Sequence, residues 1–242
     1  MSAATGIFVT GTGTEVGKTV VAAAIARTLA NEGRRVAVFK PAVTGLDETA
    51  ADGPQTSAIW TPEAHRPPAD HELLRVAAGS AQSDGEIAPY RYGPAASPHL
   101  AAAMAGEEID AGRLLETARA AAAGADALVC EGVGGLLVPL SPAYLVRDLA
   151  VDLGFPVVIA ASPGLGTINH TLLTIEAARA AGLEVAAVVL TPWPQRPTEI
   201  EQSNRETIAA LGKVEVQTLA PLDLSTPATW PSLRPVGRFP AI

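Results

Sequence analysis

Residues Thr10-Gly11-Thr12-Gly13-Thr14-Glu15-Val16-Gly17-Lys18-Thr19 follow directly on the apolar run Ile7–Val9. Glycines free the backbone so that successive N–H groups can converge on an oxyanion, and a helix starting behind them adds a favourable dipole. The chemistry is phosphate binding, and three patterns compete for it. A dinucleotide-binding turn needs G-x-G-x-x-G and an acid at the end of the second strand for the ribose hydroxyl. Here the third glycine comes one residue late (Gly11, Gly13, Gly17), and the second strand ends in Phe39-Lys40. The phosphate-binding loop (P-loop) G-x-x-x-x-G-K-[ST] fits at Gly17-Lys18-Thr19, although its first glycine should stand where Thr12 is. Its physical parts survive, with Lys18 able to reach outer phosphates and the Thr19 hydroxyl able to bind Mg²⁺. A third pattern, the partition-ATPase loop, places a second lysine five residues before the first, and Gly13 occupies that position. A merely well-started helix with one solvated lysine would leave the strand, the glycines and the Lys-Thr pair unexplained.

Two further charged residues end apolar runs. Ala127-Leu128-Val129-Cys130 leads into Glu131 and the flexible Gly132-Val133-Gly134-Gly135. An acid at the end of a buried strand is costly without a partner, which a nucleotide's Mg²⁺ would supply; helix capping or a salt bridge is the structural alternative. Lys40 likewise closes Val36–Phe39 before a turn broken by Pro41, and would face the same site as Lys18 unless it is simply solvated.

These residues need a scaffold that brings strand ends together. Strand candidates are Ile7–Thr10, Arg35–Lys40, Ala127–Glu131, Pro156–Ala161, Val185–Thr191 and a weaker Val214–Leu219. Continuous apolar runs such as Val157-Val158-Ile159-Ala160 belong to strands covered on both faces. Helical segments alternate with them: Lys18–Glu32, Asp70–Ala78, Asp110–Ala123, Val146–Leu153, Asn169–Ala181 and Glu199–Leu211. Gly33, Gly124, Gly154, Gly182 and Gly212 stand where C-terminal caps are expected. The alternation predicts a single α/β domain over residues 1–242. Its sheet is doubly wound and mostly parallel, with helices on both faces, and ligands bind beyond the carboxyl ends of the strands. Residues 41–69, rich in Pro, Asp, Thr and Gly, read as a long surface loop, and the Pro-rich tail from Pro221 as irregular.

Composition narrows the partners. The 242 residues are 48% apolar and 17% charged, ample for a buried core, with a net charge of −8. That balance, with no Lys/Arg cluster, argues against nucleic-acid binding. No apolar run approaches the ~18 residues of a membrane span, and the first residues lack a signal-peptide pattern. A single cysteine, Cys130, excludes an internal disulfide and, inside an apolar strand, reads as core. A cytoplasmic location is the expectation.

TGTGTEVGKT, then KPAVTG at 40–45, SPHLAA at 97–102, CEGVGG at 130–135 and GTINHTLLT at 166–174 come in an order that closely resembles the dethiobiotin synthetase family. The resemblance implies a P-loop NTPase-like fold. It also implies ATP- and Mg²⁺-dependent closure of a ureido ring on 7,8-diaminononanoate with CO₂, in biotin biosynthesis, by a homodimer with shared sites. Carried over, Glu15, Val16, Gly17, Lys18, Thr19 and Val20 with Glu131, Gly132, Val133 and Gly134 bind nucleotide. Thr19, Glu131 and an aspartate, Asp70 with Asp52 as the spare, hold Mg²⁺. Thr14, Lys40 and Thr44 line the diamine and carbamate, so that Lys18, Lys40 and Thr14 are the catalytic candidates. Gly166, Thr167, Ile168 and Asn169 open a helix whose free N–H groups suit the substrate carboxylate.

The chain departs from the family in two places. Thr191-Pro192-Trp193 stands where the family usually carries an Asn-Asp pair that reads adenine, and Gly13 replaces a common acid in the loop, which should loosen it. Trp193 could stack on a base, but its Pro-rich surroundings favour packing. His65, His71, His99 and His170 show no metal-ligand spacing, and His99 and His170 read as structural hydrogen-bonders. The alternative functional class is a nucleotide-switched interaction module of the partition or metallocentre-insertion kind; it wants the missing second lysine or a metal-binding cluster. A cobyrinate-type amide synthase would need a glutamine-hydrolysing domain for which there is no room.

Overall fold

The computed structural model describes residues 5–47 and 68–234; Asp52 and His65 lie outside the described residues. From the amino end, β1 (Thr5–Gly11) leads into α1 (Lys18–Asn31), β2 (Val36–Phe39) and the two-residue strand β3 (Ala42–Val43). Next come α2 (Asp70–Ala78), the one-turn α3 (Asp84–Ile87), β4 (Tyr90–Arg91), α4 (Pro98–Met104) and α5 (Ala111–Ala123). β5 (Ala127–Gly135), a small hairpin of β6 (Pro139–Ser141) and β7 (Tyr144–Leu145), and α6 (Val146–Leu153) follow. The chain then alternates β8 (Val157–Ala161), α7 (Thr167–Ala180), β9 (Val185–Leu190), α8 (Glu199–Gly212) and β10 (Val216–Thr218), with a 3-10 turn at Pro227–Thr229.

Six strands make one parallel sheet in the order β10-β9-β8-β1-β5-β2. Alternate strand residues face opposite layers, as the pleat demands. Ile7 and Val9 pack with Val21 and Ile25 of α1 and Leu73 and Leu74 of α2, whereas Phe8 packs with Leu114 of α5, Leu149 of α6, Ile175 of α7 and Ile208 of α8. The expected doubly wound parallel sheet is therefore present, with both faces covered.

Each of the six expected strands and six expected helices is found, with ends shifted by up to two residues except at β5, which runs four residues past Glu131 to Gly135. Gly33, Gly154 and Gly182 adopt left-handed φ of 80°, 68° and 78° at the helix ends, as caps should. Gly124 does not (φ −99°), and Gly212 closes α8 while Lys213 takes the left-handed turn at φ 46°. Glycine is needed at 212 for another reason: a Cβ there would lie 2.9 Å from Ile175 Cδ1, where α7 and α8 approach. The expected loop over 41–69 departs at its start, because Ala42–Val43 is a buried strand paired with Tyr90–Arg91. The tail is irregular but not loose. Leu222, Trp230 and Leu233 are buried against the α1 layer, and Leu233 N donates to the buried Thr28 Oγ1 at 2.9 Å.

Trp230 also donates from Nε1 to Asp223 O at 2.7 Å, so its ring closes the tail onto α1. Trp230→Ala is expected to lower unfolding free energy by about 3 kcal/mol in urea titrations. A loss below about 1 kcal/mol would mean that the tail adds nothing to this core.

Candidate active site at the sheet rim

The end of β1 sets the geometry. Thr12 N donates to Ala160 O of β8 at 3.0 Å, which ties the start of the loop to the neighbouring strand. Glycine is required at two positions. A Cβ on Gly11 would lie 2.7 Å from Val16 Cγ2 and 2.8 Å from Lys18 Cγ, and Gly17 turns the chain into α1 with φ 84°. Glu15, at φ 61°, is the non-glycine residue forced into the same left-handed region. At Gly13 a side chain would meet nothing within 4 Å and φ is not positive, so the fold does not demand glycine there. No side chain caps α1 and no acid lies in its first turn, so its N-terminal N–H groups remain for an anion.

The charged residues converge because parallel strands end at one edge. The β2–β5 register pairs Phe39 with Cys130, so Lys40 and Glu131 follow side by side, on the face that packs against α1. Lys40 Nζ donates to Glu131 Oε1 at 2.6 Å and to Asp70 Oδ2, at the first residue of α2, at 2.8 Å. Thr19 Oγ1, from α1, donates to the same Glu131 Oε1 at 2.8 Å. Lys18 is buried and donates from Nζ to Gly13 O at 2.7 Å. Glu131 is fully buried, and its Oε2 has no partner among the described residues.

Proton affinities follow from this packing. Burial lowers the pKa of Lys18, against the pull of Glu131. Burial acts the same way on Lys40, but Asp70 and Glu131 outweigh it and hold the ammonium well above the usual lysine value. Burial lifts Glu131 above the ordinary carboxylate range in spite of Lys40. At Asp70 the effect of burial is overcome by Lys40 and the Thr19 hydroxyl, so its pKa lies below the usual value. The cluster thus keeps Lys40 and Asp70 charged and leaves Glu131 short of positive charge.

That shortage suits a divalent cation. Glu131, Asp70 and Thr19 offer only hard oxygen atoms, one of them an orphaned buried acceptor. Two carboxylates and a hydroxyl are what Mg²⁺ takes when water and phosphate oxygens fill its remaining positions. Among the described residues no group of three or more His, Cys, Asp or Glu could form a cage made wholly of protein.

A cavity of about 630 Å³ opens on the cluster. It is lined by Thr14, Glu15, Gly17, Lys18, Thr19, Val20, Lys40, Thr44, Asp70, Glu131, Val133 and Gly134, all candidates from the sequence. Val16 and Gly132 do not line it: Val16 covers Gly11, and Gly132 leaves room for Val146 and Phe8. Gly166, Thr167, Ile168 and Asn169 also stand apart at the start of α7, with Gly166 (φ 90°) as its N-cap and Asn169 exposed. Ala42, Gly45, Ala95, Ala96, Ser97, Pro98 and Val138 complete the wall. The SPHLAA stretch marked part of that wall in the sequence, but small apolar residues carry no chemical signature. Trp193 is partly buried against the core and its backbone N–H donates to Leu219 O at 2.8 Å, in keeping with packing. His99 Nδ1 is buried with no partner among the described residues, and His170 is exposed. Among the described residues no helix is long and apolar enough to cross a membrane.

A family model described as an AAA domain matches residues 5–229. The ATP-dependent dethiobiotin synthetase BioD of Anaeromyxobacter dehalogenans is 40% identical over 218 residues, covering 89% of this chain and 89% of that protein. That of Rhodococcus erythropolis is 40% identical over 216 residues (88% and 87%), and that of Bacillus subtilis 32% identical over 216 residues (89% and 87%). With its phosphate loop, paired lysines and carboxylates carried on one parallel sheet, this chain belongs to the ATP-dependent dethiobiotin synthetase family.

Proposed function

We propose that this protein closes the ureido ring of dethiobiotin from 7,8-diaminononanoate, CO₂ and ATP, releasing ADP and phosphate, as a carbon–nitrogen cyclo-ligase. The observation that carries the reading is the convergence of Lys18, Lys40, Thr19, Asp70 and Glu131 on one cavity behind a phosphate loop. One substrate amine adds to CO₂, loses a proton and becomes a carbamate. A carbamate oxygen then attacks the γ-phosphorus of ATP and ADP leaves. The second amine attacks the carbamoyl carbon, phosphate departs, and the ring is closed. The protein supplies no covalent nucleophile, so positioning and electrostatics carry the chemistry.

Each residue has a part in that scheme. Lys18 releases Gly13 O and neutralises the outer phosphates. The N–H groups of residues 15–20 and of residues 131–134, in the second half of β5, hold the nucleotide. Lys40, kept charged by its neighbours, stabilises the carbamate and the transferring phosphoryl group, while Thr14 and Thr44 hold the diamine end. Thr19, Asp70 and Glu131 would bind Mg²⁺, which supplies charge neutralisation of the nucleotide's phosphates. The apolar wall of Ala42, Ala95, Ala96, Pro98 and Val138 suits a methylene chain.

Gly166–Asn169 would take the substrate carboxylate. Their separation from the cavity and the full exposure of Leu165 just before them support supply from a second copy, hence a homodimer with shared sites. We read the chain as one such domain, working in the cytoplasm.

Phosphate release from ATP, with and without 7,8-diaminononanoate and bicarbonate, tests the reading, and release indifferent to the diamine would remove it. Lys18→Ala is expected to lower turnover by roughly a thousandfold or more. Near-normal turnover in that variant would detach the loop from the chemistry. Because Thr191 and Pro192 offer no side-chain amide to an adenine edge, CTP and GTP should support kcat/KM within about tenfold of ATP. A preference for ATP above about a hundredfold would require an adenine reader elsewhere.

A further inference from the structure

Among the described residues, β2 is the outermost strand of the sheet on its side and pairs only with β5. Its free edge would leave buried backbone groups without partners, which folded proteins avoid. At Val38, which is fully buried, one side chain fills the gap. Val38 N donates to Gln82 Oε1 at 2.9 Å, and Gln82 Nε2 donates to Val38 O at 3.0 Å. The primary amide thus makes the two bonds that a hydrogen-bonded residue on a neighbouring strand would exchange. Ser80 Oγ donates to Gln82 Oε1 at 2.9 Å, which fixes the amide's orientation. Two residues further along, Lys40 N donates to Ile87 O at 2.8 Å.

The segment doing this stapling is the connector from α2 to α3. α2 begins with Asp70, the carboxylate that meets Lys40, and its Leu73, Leu74 and Ala77 share a core with Val38 and Ile87. Lys40 extends from β2 and Asp70 from α2, so their 2.8 Å contact depends on how the helix is seated along the strand. Gln82 is the side chain that holds both backbone groups of the strand two residues before Lys40.

We infer that Gln82 is a positioning residue for the reaction: it completes the outer edge of β2, seats α2 against it, and so sets the Lys40–Asp70 geometry at the site of phosphoryl transfer. The inference rests on the role of Lys40 proposed above. Gln82 touches neither nucleotide nor diamine in that scheme. Its loss should reach the chemical step while leaving the phosphate loop intact.

Gln82→Met keeps the length of the side chain and removes both bonds. Its kcat for diamine-dependent phosphate release should fall about tenfold or more, since small displacements of a charged catalytic group are costly in rate. The dissociation constant for ATP without Mg²⁺, by calorimetry, should stay within about threefold, because Lys18 and the α1 N-terminus do not depend on Gln82, whereas Asp70 is placed among the metal ligands. Ile208→Val, which trims the opposite core layer, is the stability control and should keep kcat within about twofold. Gln82→Glu keeps an acceptor for Val38 N but sets a carboxylate oxygen against Val38 O; its kcat should fall in the same direction, and it serves should the methionine variant not fold. A kcat for Gln82→Met matching that of the control, or nucleotide affinity lost in proportion to kcat, overturns the inference. So does a crystal structure of either variant in which Lys40 and Asp70 still meet at 2.8 Å, whatever its activity. Wild-type protein with no diamine-dependent release would instead remove the proposed function itself.

Discussion

The buried lysine at the sheet rim constrains everything around it. Lys40 ends a strand in a place from which water is nearly excluded, and an ammonium there is tolerable only with close anionic partners. Glu131 and Asp70 supply them at 2.6 and 2.8 Å. Those partners come from β5 and α2, so β5 must lie between β1 and β2, and α2 must pack beside α1. The strand order and the Phe39–Cys130 register therefore follow the needs of one charge as much as those of the core.

The same cluster is built to be incomplete. One Glu131 oxygen is buried with no partner among the described residues, α1 starts without a side-chain cap, and the loop holds Glu15 in a left-handed conformation. Each of these features lowers stability by about 1–3 kcal/mol. Their common location explains them. An anion at the helix end and a cation between Glu131, Asp70 and Thr19 would satisfy all the open groups at once. Departures from local rules gather where a ligand completes the structure.

The surrounding fold is conservative by contrast. Two apolar layers cover a parallel sheet, alternate strand residues serve each layer, and the tail seals one of them through Trp230 and Leu233. The rigidity matters because the chemistry proposed here has no covalent step on the protein. Rate would come from holding one amine, one carbamate and one phosphate in line, and only a stiff frame holds charges to a few tenths of an ångström. Gln82 belongs to that frame: its amide bonds both backbone groups of Val38 at the sheet's outer strand, where no further strand pairs among the described residues.

Much of this was written in the order of residues. Apolar runs of strand length alternating with helix-length segments specified the layered sheet, because period and length are local properties of the chain. Gly17-Lys18-Thr19 announced the phosphate loop for the same reason, and Lys40 and Glu131 drew notice as charges ending apolar strands. Other features needed three dimensions. Nothing in the local sequence shows that Glu131 rather than a nearer acid meets Lys40, since the pair is joined by strand order across 91 residues. That Asp70 meets Lys40 appears only with α2 seated beside β2. Gly212 looked like a cap and proved to be a point of close helix approach. The tail reads as irregular from its prolines, and only the folded chain shows that Leu222, Trp230 and Leu233 join the core. Gln82 carried no signal at all, because a glutamine that completes a sheet is defined by the backbone it faces and not by its neighbours in the chain. Sequence by itself determined the elements and the reactive residue types, through local spacing; tertiary structure decided which charges meet and what holds them there, because those contacts join segments far apart in the chain.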